Sequence, residues 1–345
     1  MKRFFRALIR PKVFVPLALT AGLLAALFSF ANLGAAITII SGFQRIYLVY
    51  FLLLMVGYEL VRGAQWSYSL RQLRLEIPLR KQIFAFALSE VTKALPIGNY
   101  FQNYVLKLEG EADFSRSSVA TTLIVFEEAL VCLLGVVILG LGSWTQWTRI
   151  AILVGLALVA ALVWLYQRLH RSTGKPPAWM TRHRRLHKLA ESYTTFRDGA
   201  KDILHPRALL VTLAFSATYL VLAGLGLYVI ARGLNITGIS VGDALSVYFF
   251  SLAMGLIIPI PVDIGVIELT GLGAFMAVGV GRNAALGAVL VNRVLSIAAS
   301  LLIAFIVVAV LHKEAPALFK RRKGSARQPV ERSSAAQAGS GRAGA

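Results

Sequence analysis

Residues 241–268 read VGDALSVYFFSLAMGLIIPIPVDIGVIE, an apolar stretch that continues to Val280 and is interrupted by Pro259-Ile260-Pro261. A second apolar stretch, residues 83–106, is interrupted in the same way by Pro96-Ile97-Gly98. Since proline lacks the helical N–H donor and clashes with the preceding turn, each stretch is predicted to form two helical arms joined at a break. Broken backbone at membrane depth is tolerated only where protein or a water-filled cavity covers it. We therefore predict two re-entrant hairpins, with two kinked full spans as the alternative.

The composition of the whole chain is typical of a polytopic membrane protein. Of its 345 residues, 57% are hydrophobic and 15% are charged, whereas soluble domains carry roughly 25% charged residues. A hydrocarbon core of about 30 Å requires about 20 apolar residues of helix. The predicted fold class is an all-α membrane protein with six full spans and, in addition, two re-entrant broken-helix hairpins. These spans are residues 13–33, 47–68, 119–144, 150–166, 208–231 and 284–311.

The basic residues predict the orientation of the chain. Lys and Arg total 36 against 16 Asp and Glu, which gives a net charge of +20. Most of them lie in four segments, which are residues 2–12, 71–81, 168–207 and 313–345. Basic loops stay on the cytoplasmic side of a membrane. We therefore expect a protein of the inner (cytoplasmic) membrane with both termini in the cytoplasm.

The same segments predict the domain organisation. Residues 1–312 are expected to form one integral membrane domain, with halves at about residues 47–145 and 208–312 joined by the basic linker 168–207. Residues 313–345 are basic and rich in Ser, Gly and Ala, a composition that favours a disordered cytoplasmic tail.

The two halves resemble each other where each hairpin leads into a long span. Arg116 lies eleven positions before Glu127, and Arg282 lies eleven positions before Arg293. By the charge argument the first half enters the membrane from the cytoplasm and the second half from the opposite side. Such an inverted repeat is common in secondary transporters, whose substrate sites lie near the midplane where helices are broken.

Charged residues at membrane depth are the main site candidates. Eleven helical residues rise about 16 Å, so Glu127 and Arg293 are predicted near the bilayer centre, and Glu268 lies one turn past the second break. Ionisable groups at this depth are expensive and commonly mark ion pairs or transport pathways. Glu268 and Arg293 could meet across neighbouring helices, either as a structural ion pair or as a substrate contact. The candidate binding or gating residues are Glu268, Arg293, Lys93, Glu127 and Asp263, and the candidate hinge residues are Pro96, Gly98, Pro259, Pro261 and Gly265.

Two further pairs of charges are predicted to be structural. Glu90 and Lys93 are three residues apart, a spacing that makes them neighbours on a helix surface. Glu59 and Arg62 lie one turn apart near the predicted cytoplasmic end of the second span. We expect the long Arg62 side chain to extend to the membrane surface.

Other classes of site find no support in the sequence. Cys132 is the only cysteine, so an intrachain disulfide is excluded. No nucleotide-binding glycine loop and no catalytic Ser-His-acid arrangement can be placed, and the histidines lie among basic residues that disfavour a metal cation. We expect no cofactor and no enzymatic activity. The basic linker is expected to contact anionic lipid head groups and not nucleic acid.

The residues around the second break also carry a resemblance to a known family. Pro261, Gly265, Glu268 and Arg293 fit a pattern Pro-Gly-Gly-x-Gly-x-x-Glu that is followed by a helix bearing Tyr-Arg. With these residues the chain resembles the flippase-like membrane family that includes the transmembrane region of lysylphosphatidylglycerol synthases. The paired glycines and the tyrosine of that pattern are replaced here by Val262, Asp263 and Asn292.

The resemblance implies a membrane domain that moves a lipid, or a lipid-linked head group, between leaflets. Its partners would be membrane lipids with an anionic or phosphate-bearing head group. The synthases of the family carry a soluble aminoacyl-transfer domain after the membrane region, and this chain is expected to lack that activity. The alternative is a non-transporting membrane partner, or scaffold, of a lipid or cell-envelope biosynthetic enzyme. Midplane charges that line a cavity would favour transport, and charges packed shut would favour the alternative.

Overall fold

A computed structural model describes residues 38–92, 98–139, 157, 187–257 and 265–311, and the regular elements within these ranges are helices. They are α1 (Arg45–Gln72), α2 (Leu79–Thr92), α3 (Phe101–Leu108), α4 (Phe114–Leu139), α5 (His187–Ile203), α6 (Pro206–Gly233), α7 (Val241–Ile257), α8 (Val266–Ala277) and α9 (Arg282–Leu311), with a 3₁₀ turn at Gly98–Tyr100.

Four of these helices, α1, α4, α6 and α9, are long and apolar enough to cross a membrane. They coincide with the spans predicted at 47–68, 119–144, 208–231 and 284–311. Hydrocarbon offers no hydrogen-bond partners, so an apolar segment of this length must satisfy its backbone internally as a helix. The spans predicted at 13–33 and 150–166 lie outside the described residues, apart from Ala157.

Each proline-interrupted stretch forms two shorter helices, as the sequence predicts. α2 packs against α3, and α7 packs against α8. The breaks themselves, residues 93–97 and 258–264, lie outside the described residues. Lys93, Pro96, Pro259, Pro261 and Asp263 lie within them.

The two ends of the helical bundle can be identified from contacts between loops. Lys81 at the start of α2 forms an ion pair with Glu111, which follows α3, so both outer ends of the first hairpin lie at one end of the bundle. Arg116 and Asp202, 3.2 Å apart, lie at this same end. We call it the basic end. The outer ends of the second hairpin lie at the opposite end, where residues 234–238 before α7 and residues 279–281 after α8 line one cavity.

The helices pack in matched pairs. α1 and α6 form the central contact and run antiparallel, since the Gln44 N–H donates to the Gly233 carbonyl at one end and Gln65 Nε2 donates to the Thr212 carbonyl toward the other. Around them, α2 packs on α9 as α7 packs on α4, and α3 packs on α4 as α8 packs on α9. Thus each pair of helices in contact within the set α1–α4 has a counterpart within the set α6–α9.

The buried apolar side chains form two clusters. One contains Phe51, Tyr219 and Phe275, and the other, toward the basic end, contains Trp66 and Phe84. Along α1, α4 and α6 the two clusters are separated by a layer of buried polar residues. Of the charged groups whose depth the sequence predicts, this layer contains Glu127.

Candidate functional site

The buried polar layer lies about halfway along the long helices. Charged groups removed from water are destabilising unless other protein groups pair with them or donate hydrogen bonds to them. The partners of each charge therefore show what the layer can do. Its members are Glu59, Arg62, Gln65, Glu127, Glu128, Thr212, Ser216 and Tyr219.

Arg62 is the cation that joins four helices. Its Nη1 donates to Glu90 Oε1 on α2 at 2.6 Å, and its Nε lies 3.5 Å from Glu128 Oε1 on α4. The hydroxyl of Tyr219 on α6 donates to the same Glu128 oxygen at 2.8 Å. The Arg62 side chain is only 9% exposed, so the expectation that it extends to the membrane surface is wrong. Two buried carboxylates hold it at depth. The predicted pairing of one of them, Glu90, with Lys93 stays a prediction, since Lys93 lies outside the described residues.

Glu127 is buried at the depth that the sequence predicts, with an exposed fraction of 2%. Its partners in the structure are neutral. Thr212 Oγ1 donates to Oε1 at 2.5 Å, and Gln65 Nε2 and Ser216 Oγ donate to Oε2 at 2.8 and 3.3 Å. Lys93, the other candidate binding residue of this half, lies outside the described residues, so its role stays a prediction.

The structure brings Glu268 and Arg293 together, as the sequence suggested. Arg293 Nε lies 3.1 Å from Glu268 Oε1, and the two side chains are 33% and 3% exposed. The other Glu268 oxygen accepts the N–H of Gly265 at 2.6 Å. Gly265 has φ 99°, a conformation that glycine adopts readily and other residues do not. The predicted hinge at Gly265 thus begins α8, and Gly98, the other described hinge residue, begins the 3₁₀ turn before α3.

A groove of about 480 Å³ lies between α1, α2 and α9, and the sequence did not predict it. Most of its wall is apolar, but buried carboxyl residues contribute from α1 and α2. The Ser300 hydroxyl on α9 donates to the Glu59 carboxylate at 2.6 Å inside it. Its lining residues include Glu59, Ala64, Arg71, Glu90, Phe215 and Ser300.

Small residues explain why the groove is open. Gly63 and Ser67 on α1, and Ser300 and Ala304 on α9, are each four positions apart and so lie on one face of their helix. Because these side chains are short, the helices leave space where larger residues would fill it. This i,i+4 spacing of small residues is the sequence signal that could have revealed the groove.

One arrangement is not found among the residues that the structure describes. No three side chains of His, Cys, Asp or Glu converge there as metal ligands would. What the site offers chemically is therefore a set of ion pairs and hydrogen bonds beside an apolar groove.

Comparison with known proteins gives one family. The sequence model of that family, described as "Lysylphosphatidylglycerol synthase TM region", matches residues 13–304. The match covers both halves of the fold, including the Arg62 cluster, Glu127, the Glu268–Arg293 pair and most of the groove. A search of curated proteins gives no significant match.

Proposed function

The chain belongs to the lysylphosphatidylglycerol synthase TM region family, and from this premise we propose that it moves a lipid, or a lipid-linked head group, between the two leaflets. The coarser conclusion rests on the family and the long apolar helices: this is an integral membrane protein of lipid metabolism or transport. The finer proposal rests on the groove between α1, α2 and α9.

The groove addresses the main barrier to lipid movement. Acyl chains are already surrounded by hydrocarbon in a bilayer, so an apolar groove gives them little hydrophobic stabilisation. The barrier is the transfer of a polar head group through the apolar core. From Arg71 at the basic end to Glu59 at mid-depth the groove follows α1 for about 18 Å. Polar and charged side chains along this wall could replace part of the hydration of a head group while its acyl chains remain in lipid.

The matched packing of the two halves supports an inverted repeat with re-entrant hairpins. The helices of the set α1–α4 and their counterparts α6–α9 run in opposite directions, and the outer ends of the two hairpins lie at opposite ends of the bundle. Inverted repeats permit alternating access, because the two halves can exchange conformations around a fixed midplane site.

An exchange of conformations between the halves requires that one half is open while the other is closed, and the two halves differ in this way. α1 and α2 separate around the groove, whereas their counterparts α6 and α7 pack closely. A Cβ atom added at Gly224 of α6 would lie 2.6 Å from Leu245 of α7, and one added at Gly135 of α4 would lie 2.2 Å from Phe249 of α7. We propose that the structure represents the state open toward the basic end. The other state would open between α6 and α7.

The remaining features of the proposal follow from charge. The basic end would face the cytoplasm, which places both termini there and the chain in the inner membrane. Arg71 at the groove mouth would contact a phosphate-bearing head group, and Glu268 with Arg293 would act as a gate. The protein would carry the lipid without chemical change, so we propose no enzymatic role.

A blocked groove tests this function. Ala64 is exposed and lines the groove, so Ala64→Trp would fill the groove without disturbing the core. Ala214 on α6 is also exposed but does not line the groove, so Ala214→Trp is the matched control. Each protein would be reconstituted in liposomes with phosphatidylglycerol that carries a fluorescent label on an acyl chain. A membrane-impermeant quencher removes the fluorescence of the outer leaflet, and the rate at which the inner-leaflet fluorescence then decreases would give the rate of lipid movement.

We expect Ala64→Trp to slow lipid movement at least about tenfold, a barrier increase of about 1.4 kcal/mol, and the control to match the wild type. Equal rates for both variants would remove the groove from the pathway. No movement above protein-free liposomes by the wild-type protein would instead favour a non-transporting partner of a lipid-biosynthetic enzyme.

A further inference from the structure

Glu127 is a buried carboxyl group with no cation beside it among the described residues. Its contacts are the Thr212 and Ser216 hydroxyls and the Gln65 amide. The titratable groups that face this part of the layer are Tyr58, Glu59 and Arg62 on α1, Glu90 on α2, Glu128 on α4 and Tyr219 on α6. The only cation in this set, Arg62, is engaged by Glu90 and Glu128.

The hydrogen bonds around Glu127 accommodate both of its protonation states. If the carboxyl is ionised, the Thr212 hydroxyl donates to it. If it carries a proton on Oε1, that proton is donated to Thr212 Oγ1, and the Thr212 hydroxyl then donates to the Ala208 carbonyl 3.0 Å away. The exchange turns one hydroxyl and displaces no heavy atom.

Gln65 supplies a second, independent indication. Its Nε2 has only two hydrogens but lies within hydrogen-bond distance of three oxygens, at 2.8, 3.0 and 2.7 Å. Its Oε1 is buried without a hydrogen-bond partner. A buried acceptor without a donor is destabilising. A half-turn of the Gln65 amide would let this oxygen accept a proton carried by Glu127.

We propose that Glu127 is a reversible proton-binding site, in which Thr212, Ser216 and Gln65 form the surrounding hydrogen-bond network. An ionised carboxylate is disfavoured at this depth when no cation lies beside it, and the part of the chain that the structure describes places none beside Glu127. The closed network therefore favours the protonated carboxyl group.

The position of the site connects it to the groove. Ala64 and Phe215, the neighbours of Gln65 and Ser216 in sequence, line the groove from α1 and α6. The contact between α1 and α6 thus has Glu127 on one face and the groove on the other. A change in the charge of Glu127 would alter this contact and with it the groove. This coupling, unlike proton binding itself, rests on the proposed function.

Infrared difference spectroscopy of the full chain in lipid nanodiscs tests proton binding directly. Spectra recorded between about pH 5 and about pH 9 cover the range in which buried carboxyl groups titrate. We expect a carbonyl band of a protonated carboxyl in the wild type that is absent in Glu127→Gln and retained in Glu76→Gln, a change at an exposed residue. Identical spectra for the wild type and a correctly folded Glu127→Gln variant would overturn the proposal.

Variants of Thr212 test the same network even if Glu127→Gln fails to fold. Thr212→Val removes the hydroxyl that exchanges hydrogen bonds and should shift the frequency of the Glu127 band. Thr212→Ser keeps the hydroxyl and should restore it. A band that is unchanged in Thr212→Val would show that the proton is not held in this network, contrary to the proposal.

Lipid movement in the same preparations separates this proposal from the proposed function. A titrating Glu127 in a protein that moves no lipid would retain the proton site and refute transport. Lipid movement without titration of Glu127 would support transport and refute the proton site. If both proposals hold, a pH difference across the liposome membrane should change the rate in the wild type and not in Glu127→Gln.

Discussion

Replacing Arg62 by methionine tests how strongly the buried polar layer holds the helices together. Methionine fills a similar volume but carries no charge. The variant would remove the cation that contacts Glu90 and Glu128, whose side chains are 4% and 12% exposed. Breaking a buried ion pair from one side costs about 3–5 kcal/mol, because the remaining charge is neither hydrated nor paired. Arg62 contacts two buried carboxylates, so we expect a destabilisation at the upper end of that range.

The assay is reversible unfolding of the purified protein in mixed detergent micelles, followed by circular dichroism. Arg207→Met is the matched control, since Arg207 is exposed at the start of α6 and surface changes usually alter stability by no more than about 0.5 kcal/mol. A free energy of unfolding for Arg62→Met within about 0.5 kcal/mol of the wild type would refute the reasoning.

A triple variant shows whether the loss comes from uncompensated charge. In Arg62→Met with Glu90→Gln and Glu128→Gln, the layer carries neither the cation nor the two acids. Replacing a buried ion cluster as a whole by neutral groups is often close to neutral, so most of the lost stability should return. If the triple variant is as unstable as Arg62→Met alone, packing and not charge would be the cause.

Three further predictions use single positions. Gly265→Ala should destabilise the protein by about 1–3 kcal/mol, because alanine is strained at φ 99°. Gly273→Ala, at a helical position with open space around it, should stabilise the protein by up to about 1 kcal/mol. Thermal unfolding that ranks the two variants the other way would contradict this prediction. Gly135→Ala would place Cβ 2.2 Å from the Phe249 ring, so the free energy of unfolding should fall by about 1–3 kcal/mol. An unchanged free energy of unfolding would show that α4 and α7 are not closely packed. Arg293→Ala removes the cation beside the buried Glu268 carboxylate and should destabilise the protein by about 1–3 kcal/mol. Lipid mass spectrometry should also show that the variant loses a lipid class that copurifies with the wild type. If the variant retains all of that lipid, the role of Arg293 is purely structural.

The sequence predicts the helical elements well because membrane helices follow from local composition. The four described spans lie where apolar runs of sufficient length occur, and both proline interruptions separate shorter helices that pack on each other. The depth of Glu127 also follows from counting residues along one helix.

The partners of the charged residues are predicted less well. Glu268 and Arg293 are found because they lie on consecutive helices joined by a short connection. The burial of Arg62 and its contact with Glu90 are missed, because the sequence does not show which distant charges meet in space. The ion pair that they form joins residues 28 positions apart, on helices that meet only in the folded bundle.

By itself the sequence determined that this chain is an all-helical membrane protein, where its described spans lie and where two of its apolar stretches are broken. The physical reason is that hydrocarbon gives a backbone no partners, so length and hydropathy are sufficient to specify a helix. Only the tertiary structure decided that Arg62 joins four helices, that neutral groups surround Glu127 and that α1 separates from α2 while α6 packs on α7. Helix association in lipid depends on the fit of small and polar side chains and not on hydrophobicity, and that fit exists only once the helices are assembled.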